Sequence, residues 1–174
     1  LARLSRLIYR VPRLVCTAHN SNEGGVARML AYRVTNGLAD VSTNVSVEAV
    51  QSFEKKHAVP VGQMLSMVNG IDVHRFQPNL TSRIQLRRAL AWGDAQVFLA
   101  VGRLVEAKDY PNLLGAFFKL HKYFPDARLC VVGDGPLRSE MEKLVNDRGL
   151  AQSVQFLGIR DDIPELMNAA DFFV

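Results

Sequence analysis

Short apolar runs alternate with stretches of helical spacing from one end of this chain to the other. RLVCTA, VSTNVS and QMLSMV fall in the first half, and VFLAVG, RLCVVG, VQFLG and DFFV in the second. Strands this apolar and β-branched must be covered on both faces, and helices that cross over between parallel neighbours supply the cover. The alternation therefore predicts an α/β fold of parallel sheets rather than a meander or a helical bundle. No apolar run approaches the roughly 20 residues of a membrane span.

The helical stretches carry their own punctuation. Over residues 26–37, Val26, Met29, Leu30 and Val34 align on one face and Gly37 supplies a stop. VEAVQSFEKKH repeats the spacing through Val47, Val50 and Phe53. Over 110–124, Leu113, Leu114, Phe117, Leu120 and Phe124 share a face, Asp109 is placed to cap, and Pro111 is tolerated in the first turn. Pro136 opens the following helix and Gly149 closes it. After the turn-forming Asn69-Gly70 comes HRFQPNLTS, polar, with a proline and no periodicity. It reads as a linker at 73–80 between two α/β units, 1–72 and 81–174. Leu1 opens inside an amphipathic pattern and Phe172-Phe173-Val174 stops inside an apolar run, so both units are expected to be incomplete pieces of a longer protein.

With 174 residues, 48% of them hydrophobic, the chain can bury one good core or two partial ones. Its net charge of +4 is uneven, because residues 1–60 hold eight Lys/Arg against four Asp/Glu. On a helix, Arg3, Arg6 and Arg10 share a face opposite Leu1, Leu4 and Ile8, with Pro12 closing the segment. That face is either solvated or attracted to an anionic membrane. Nucleic acid is not indicated, since no aromatic platform accompanies the arginines. His19, His57, His74 and His121 show no metal-ligand spacing with one another or with the cysteines. Cys16 and Cys130 sit in apolar runs and read as reduced, buried thiols of a cytosolic protein rather than a disulfide framework. The sequons at Asn44 and Asn79 are of the kind expected by chance.

In open parallel sheets, ligands bind beyond the carboxyl ends of the strands. Three glycine turns fall there: Gly102-Arg103, Gly133-Asp134-Gly135 and Gly158-Ile159-Arg160. Taken singly, each is no more than a strand-to-helix turn. A dinucleotide fingerprint fails because Arg138 stands where the third glycine would be, and P-loop and nucleophile-elbow motifs are absent. What stands out is a pair of cations, Arg103 and Lys108, at the exit of a buried strand and beside a helix start that is already electropositive. Such a pair calls for an anion between them.

Gly102-Arg103-Leu104 with Lys108, then VVGDGPLRSEME, VQFLG and DDIPELMNAADFFV, resembles the nucleotide-binding domain of family-4 glycosyltransferases. Asn69-Gly70-Ile71-Asp72 with Arg75-Phe76 resembles the segment leading into that domain. Thr17-Ala18-His19-Asn20 resembles the end of the acceptor-side domain, where many members place a functional histidine. The resemblance covers nearly the whole chain in the family's order. It implies a GT-B architecture of two Rossmann-like domains and retaining transfer of a sugar from a nucleoside diphosphate sugar to a glycan or lipid-linked acceptor. No metal or other cofactor is implied. The setting it suggests is surface polysaccharide or glycoconjugate synthesis in the cytoplasm, peripheral to the inner face of the plasma membrane.

The same resemblance implies roles. Arg103 and Lys108 hold the donor diphosphate as it leaves, with Gly102, Gly133 and Gly135 shaping the loop around them. Ile159 and Arg160 fall where relatives hold the nucleotide base, largely through backbone. His19 contacts the donor sugar or reaction centre, and Asn20 and Glu23 lie on the acceptor side. The family's paired glutamates would lie beyond Val174 and its first glycine-rich loop before Leu1, so this piece is expected to bind donor weakly and transfer nothing. Asp109 stands where the family often has glycine. A sugar-nucleotide epimerase or a non-catalytic nucleotide-sugar-binding module would share the fold; the Asn69–Asp72 motif and the spacing of Arg103 and Lys108 favour the transferase.

Overall fold

The computed structural model describes residues 2–21 and 24–174, and the chain forms two compact units, Leu1–Ile71 and Asp72–Val174. In the first unit, β1 (Val15–Ala18), β2 (Val41–Asn44) and β3 (Met64–Ser66) make a parallel sheet in that order. Helix α1 is Ala2–Ser5, α2 is Val26–Thr35 and α3 is Val47–Lys55. The Ser46 hydroxyl starts α3 by accepting from the Ala49 N–H at 3.1 Å. Ala18, Met29, Val50, Phe53, Val59 and Met64 form the core, closed by the ring of Tyr32 edge-on to Phe53.

Two expectations for this unit do not hold. Val26, Leu30 and Val34 are exposed, because α2 turns Met29 and Tyr32 inward, roughly a third of a turn round the helix from that stripe. The arginine-faced helix does not form either. Helix α1 is a single turn, too short for an amphipathic face, and Arg3 is only 7% exposed. Its guanidinium lies 4.6 Å from the Tyr32 ring centre and donates to Ser42 Oγ at 2.9 Å and to the Tyr32 carbonyl at 3.2 Å. Arg6 pairs with Asp40 at 2.8 Å and reaches the Leu38 carbonyl. The Leu14 N–H and then Arg6 hold the Asp40 carboxyl below the usual range.

The second unit has a four-stranded parallel sheet ordered β6-β5-β4-β7, with β4 Val97–Val101, β5 Arg128–Val132, β6 Val154–Gly158 and β7 Phe172–Phe173. Alternation along the central strands feeds two cores. Leu129 and Val131 face α5 (Tyr110–His121) and α6 (Arg138–Asp147), while Val97, Leu99, Cys130 and Val132 share a core with Leu166 of α7 (Ile163–Ala169) and with Leu86 of α4 (Leu80–Ala89). Both faces are thus buried, as an all-parallel sheet requires.

Residues 72–80 are tied to this unit. Arg75 donates to the Asp161 carbonyl at 2.8 Å, the Asn79 N–H donates to Asn168 Oδ1 at 2.7 Å, and the Asn79 side chain caps α4. Along α4, Arg83 and Arg87 grip the carbonyls that end α7 and pair with Asp171. Phe124 lies past the end of α5 and is 54% exposed.

Candidate functional site

The chain after β4 runs straight into the two cations. Gly102 still belongs to the sheet, its N–H donating to the Val132 carbonyl at 2.9 Å, and Arg103 follows as the first exposed residue. Leu104 drops into the core, fully buried, and a short 3-10 turn, Glu106–Lys108, brings Lys108 back beside the strand end. The Lys108 stem passes over Gly102: a Cβ there would meet Lys108 Cε at 3.8 Å. Among the described residues neither Arg103 nor Lys108 has an acidic partner. Two exposed, unpaired cations therefore sit between the carboxyl end of a parallel strand and the start of α5, a position suited to an anion.

Asp109 does not cap α5 with its side chain, contrary to expectation. It is held at φ 48°, ψ 45°, its own N–H bonded to the Glu106 carbonyl. That left-handed conformation is one glycine adopts without strain, and aspartate is among the residues that tolerate it.

The Gly133-Asp134-Gly135 turn lies directly against the cation loop. The Leu104 N–H donates to the Asp134 carbonyl at 3.0 Å, and the Leu137 N–H donates back to the Leu104 carbonyl at 3.1 Å. A Cβ on Gly133 would stand 2.0 Å from the Gly102 oxygen, and one on Gly135 2.4 Å from the Leu104 oxygen. Both glycines permit backbone-to-backbone contact that no side chain allows. On its other side the Gly133 N–H donates to the Gly158 carbonyl at 2.8 Å, so all three glycine turns are joined through main-chain bonds.

Beyond Gly158, Ile159 is 79% exposed. Arg160 is engaged locally in a two-point pair with Asp162, Nε to Oδ1 at 2.8 Å and Nη2 to Oδ2 at 2.5 Å. The hydrogen bonds from Arg160 hold the Asp162 carboxyl below its ordinary value, and the guanidinium is correspondingly raised. This loop thus offers a ligand an apolar side chain and backbone, with the Arg160 charge already paired. Arg75 braces it from below through the Asp161 carbonyl.

In the first unit, His19 and Asn20 follow the carboxyl end of β1, both exposed. Glu23 lies outside the described residues. The loop is shaped by Asn44, which sequence reading treated as a chance sequon. Asn44 is fully buried, donates from Nδ2 to the Asn20 carbonyl at 3.2 Å and accepts from the Val45 N–H at 2.8 Å. Both its amide ends are used inside the fold. Tyr110 was also missed; its hydroxyl donates to the Gly102 carbonyl at 3.0 Å from a side chain only 4% exposed. The available signal was an aromatic at the first helical position, in register with Leu114 and Phe117. Among the described residues, no three His, Cys, Asp or Glu side chains form a metal-ligand set, and no helix is long and apolar enough to cross a membrane.

Residues 82–174 match the family described as glycosyl transferases group 1. A GDP-mannose-dependent alpha-(1-6)-phosphatidylinositol monomannoside mannosyltransferase of Mycolicibacterium smegmatis is 31% identical over 167 residues, covering 92% of this chain and 43% of that protein. Alr3699/HepE of Anabaena, solved in complex with UDP and glucose, matches with a TM-score of 0.83 at 23% identity, over 98% of this chain and 48% of that one. WaaG, a glycosyltransferase involved in lipopolysaccharide biosynthesis, matches with a TM-score of 0.73 at 18% identity, over 98% of this chain and 55% of its own. The chain thus spans about half the length of the relatives it matches.

Proposed function

The chain belongs to the group 1 glycosyl transferases and has their GT-B fold, and on that footing we propose that the full-length protein transfers a sugar from a nucleoside diphosphate sugar, with retention, to a glycan or lipid-linked acceptor. One observation carries the reading: two unpaired cations on a loop locked by main-chain bonds at the carboxyl end of β4. As the sugar's C–O bond to the diphosphate breaks, negative charge grows on the leaving group. Cations already fixed there stabilise it without reorganisation. Arg103 gives a two-point fork to phosphate oxygens and Lys108 a point charge. Ile159 offers an apolar surface and the neighbouring backbone offers hydrogen bonds to the base, while His19 contacts the donor sugar and Asn20 the acceptor side.

With two cations neutralising the diphosphate, no divalent metal is required. The mannosyltransferase relative makes GDP-mannose the first donor to test and the HepE complexes make UDP-glucose the second. A lipid-linked acceptor in surface glycoconjugate synthesis would place the reaction at the cytoplasmic face of the membrane. Arg3 and Arg6 are engaged inside the first unit, which leaves exposed Arg10 and Arg13 for contact with an anionic membrane there.

The test is binding of GDP and UDP to the full-length protein and its Arg103→Ala variant. Loss of a charge-assisted contact worth about 1.5–3 kcal/mol weakens binding by at least about tenfold, with little change in Tm. Turnover persists in EDTA, and the product keeps the donor's anomeric configuration. Undiminished diphosphate binding by Arg103→Ala would overturn the assignment.

A further inference from the structure

Among the described residues, Tyr110 is the one polar side chain that hydrogen-bonds the cation loop from beneath. Its ring is packed in the core against α5's own side of the sheet, and its hydroxyl ends at the Gly102 carbonyl, 3.0 Å away. That carbonyl is enclosed. A Cβ added to Gly133 would lie 2.0 Å from it, and a Cβ added to Gly102 itself would lie 3.2 Å from the Tyr110 oxygen. The carbonyl belongs to the peptide that joins Gly102 to Arg103. A trans peptide points its C=O and N–H in opposite directions, so holding one aims the other. Among the described residues the Arg103 N–H has no acceptor. It is a free donor next to a free guanidinium.

We infer that Tyr110 is a positioning residue for the diphosphate: its hydroxyl fixes the Gly102–Arg103 peptide, and with it the direction in which the Arg103 N–H and side chain leave the loop. Tyr110 also opens α5, two residues after Lys108, whose stem lies along Gly102. One hydrogen bond therefore sets the strand end and the lysine turn at a fixed spacing. Burial pushes the phenol's pKa up, so the hydroxyl keeps its proton and remains a donor through the neutral range. Removing the hydroxyl leaves the ring to fill its place in the core but takes away the bond that fixes the peptide's direction within the limits its main-chain neighbours set.

This inference rests on the proposed diphosphate site, and its test separates the two. Affinities of the full-length parent, Tyr110→Phe and Arg103→Ala are measured for UDP and GDP, with uridine and guanosine as phosphate-free references and Tm recorded for each. In Tyr110→Phe, affinity for whichever diphosphate the parent binds falls roughly three- to tenfold, the size of one lost hydrogen bond. Affinity for the matching nucleoside stays close to the parent's, while Tm falls only by what one unpaired enclosed carbonyl costs. A merely structural role would move nucleoside and diphosphate affinity together, and that result overturns the inference. Parent-like diphosphate affinity in Tyr110→Phe, alongside a loss in Arg103→Ala, overturns it too while leaving the site assignment standing. No loss in Arg103→Ala overturns both.

Discussion

Replacing Gly133 by alanine puts the contact between the two glycine turns under direct load. The new Cβ would stand 2.0 Å from the Gly102 oxygen and 2.8 Å from its carbonyl carbon, both backbone atoms that no rotamer change can move. Gly133 also holds φ 128°, a region essentially closed to residues with a side chain, which adds strain of about 1–3 kcal/mol. Separating the turns stretches the Gly102-to-Val132 and Leu104-to-Asp134 main-chain bonds, each worth about 1 kcal/mol net. Together these give a destabilisation of about 3–5 kcal/mol, and for a unit of this size a Tm lower by about 10 °C or more. The matched control is Gly115→Ala, in the middle of α5 with nothing within 4 Å of the added methyl, which stabilises by about 0.5–1 kcal/mol. Denaturant unfolding of the full-length protein and both variants measures the difference. Gly133→Ala within 1 kcal/mol of the parent, a margin set by the uncertainty of such energies, would refute the close-contact account.

Two further predictions depend on pH. Burial alone raises the Asp171 carboxyl, but the Val97 N–H, Arg83 and Arg87 outweigh it and hold it below the usual range. A depressed native pKa gives stability that is present above the unfolded value near 3.9 and lost as pH falls through the native one. Asp171→Asn is therefore destabilised by roughly 2 kcal/mol at pH 6–8, and the gap from the parent closes below about pH 4 in urea titrations. Burial pushes the Cys130 thiol up to about 12, against the opposing field of Arg160. A raised native pKa gives stability that is full below the unfolded value near 8.5 and declines as pH rises toward 12, so unfolding becomes easier across that alkaline window. Iodoacetamide at pH 8.5, followed by peptide mapping, labels half-buried Cys16 in the native protein and Cys130 only after unfolding.

The strands and helices were legible because their signal is local. VFLAVG is apolar at every position and RLCVVG at all but its first, and that pattern fits strands covered on both faces. The cation pair was legible for a similar reason, since Arg103 and Lys108 lie five residues apart across a strand exit. The rest of the site depends on proximity that periodicity does not encode. Gly133 meets Gly102 across a strand crossover, and the need for glycine at either place shows only when the Gly102 oxygen is seen beneath the missing Cβ. Asn44 looks like a sequon until its amide is found bonded to the loop after β1. Asp109 looks like a helix cap, yet its backbone conformation leaves the side chain out of that role.

The arginines near the start show the same limit and lead to the final prediction. Spacing by three and four residues places Arg3, Arg6 and Arg10 on one helical face, but a face needs several turns and α1 has one. Each arginine is then governed by what its long side chain reaches. Arg3 reaches buried acceptors on Ser42 and Tyr32 and the face of the Tyr32 ring, whereas Arg10 stays exposed. Glutamine at position 3 is too short to span to Ser42 and removes a charge-assisted bond and a cation–π contact, a loss of about 2–3 kcal/mol. Arg10→Gln stays within about 0.5 kcal/mol of the parent, as surface changes do. Chemical unfolding of both variants reads the contrast directly. If Arg3→Gln is as stable as Arg10→Gln, the buried anchor is not holding α1 to α2 and β2, and the arginines return to being one solvated face.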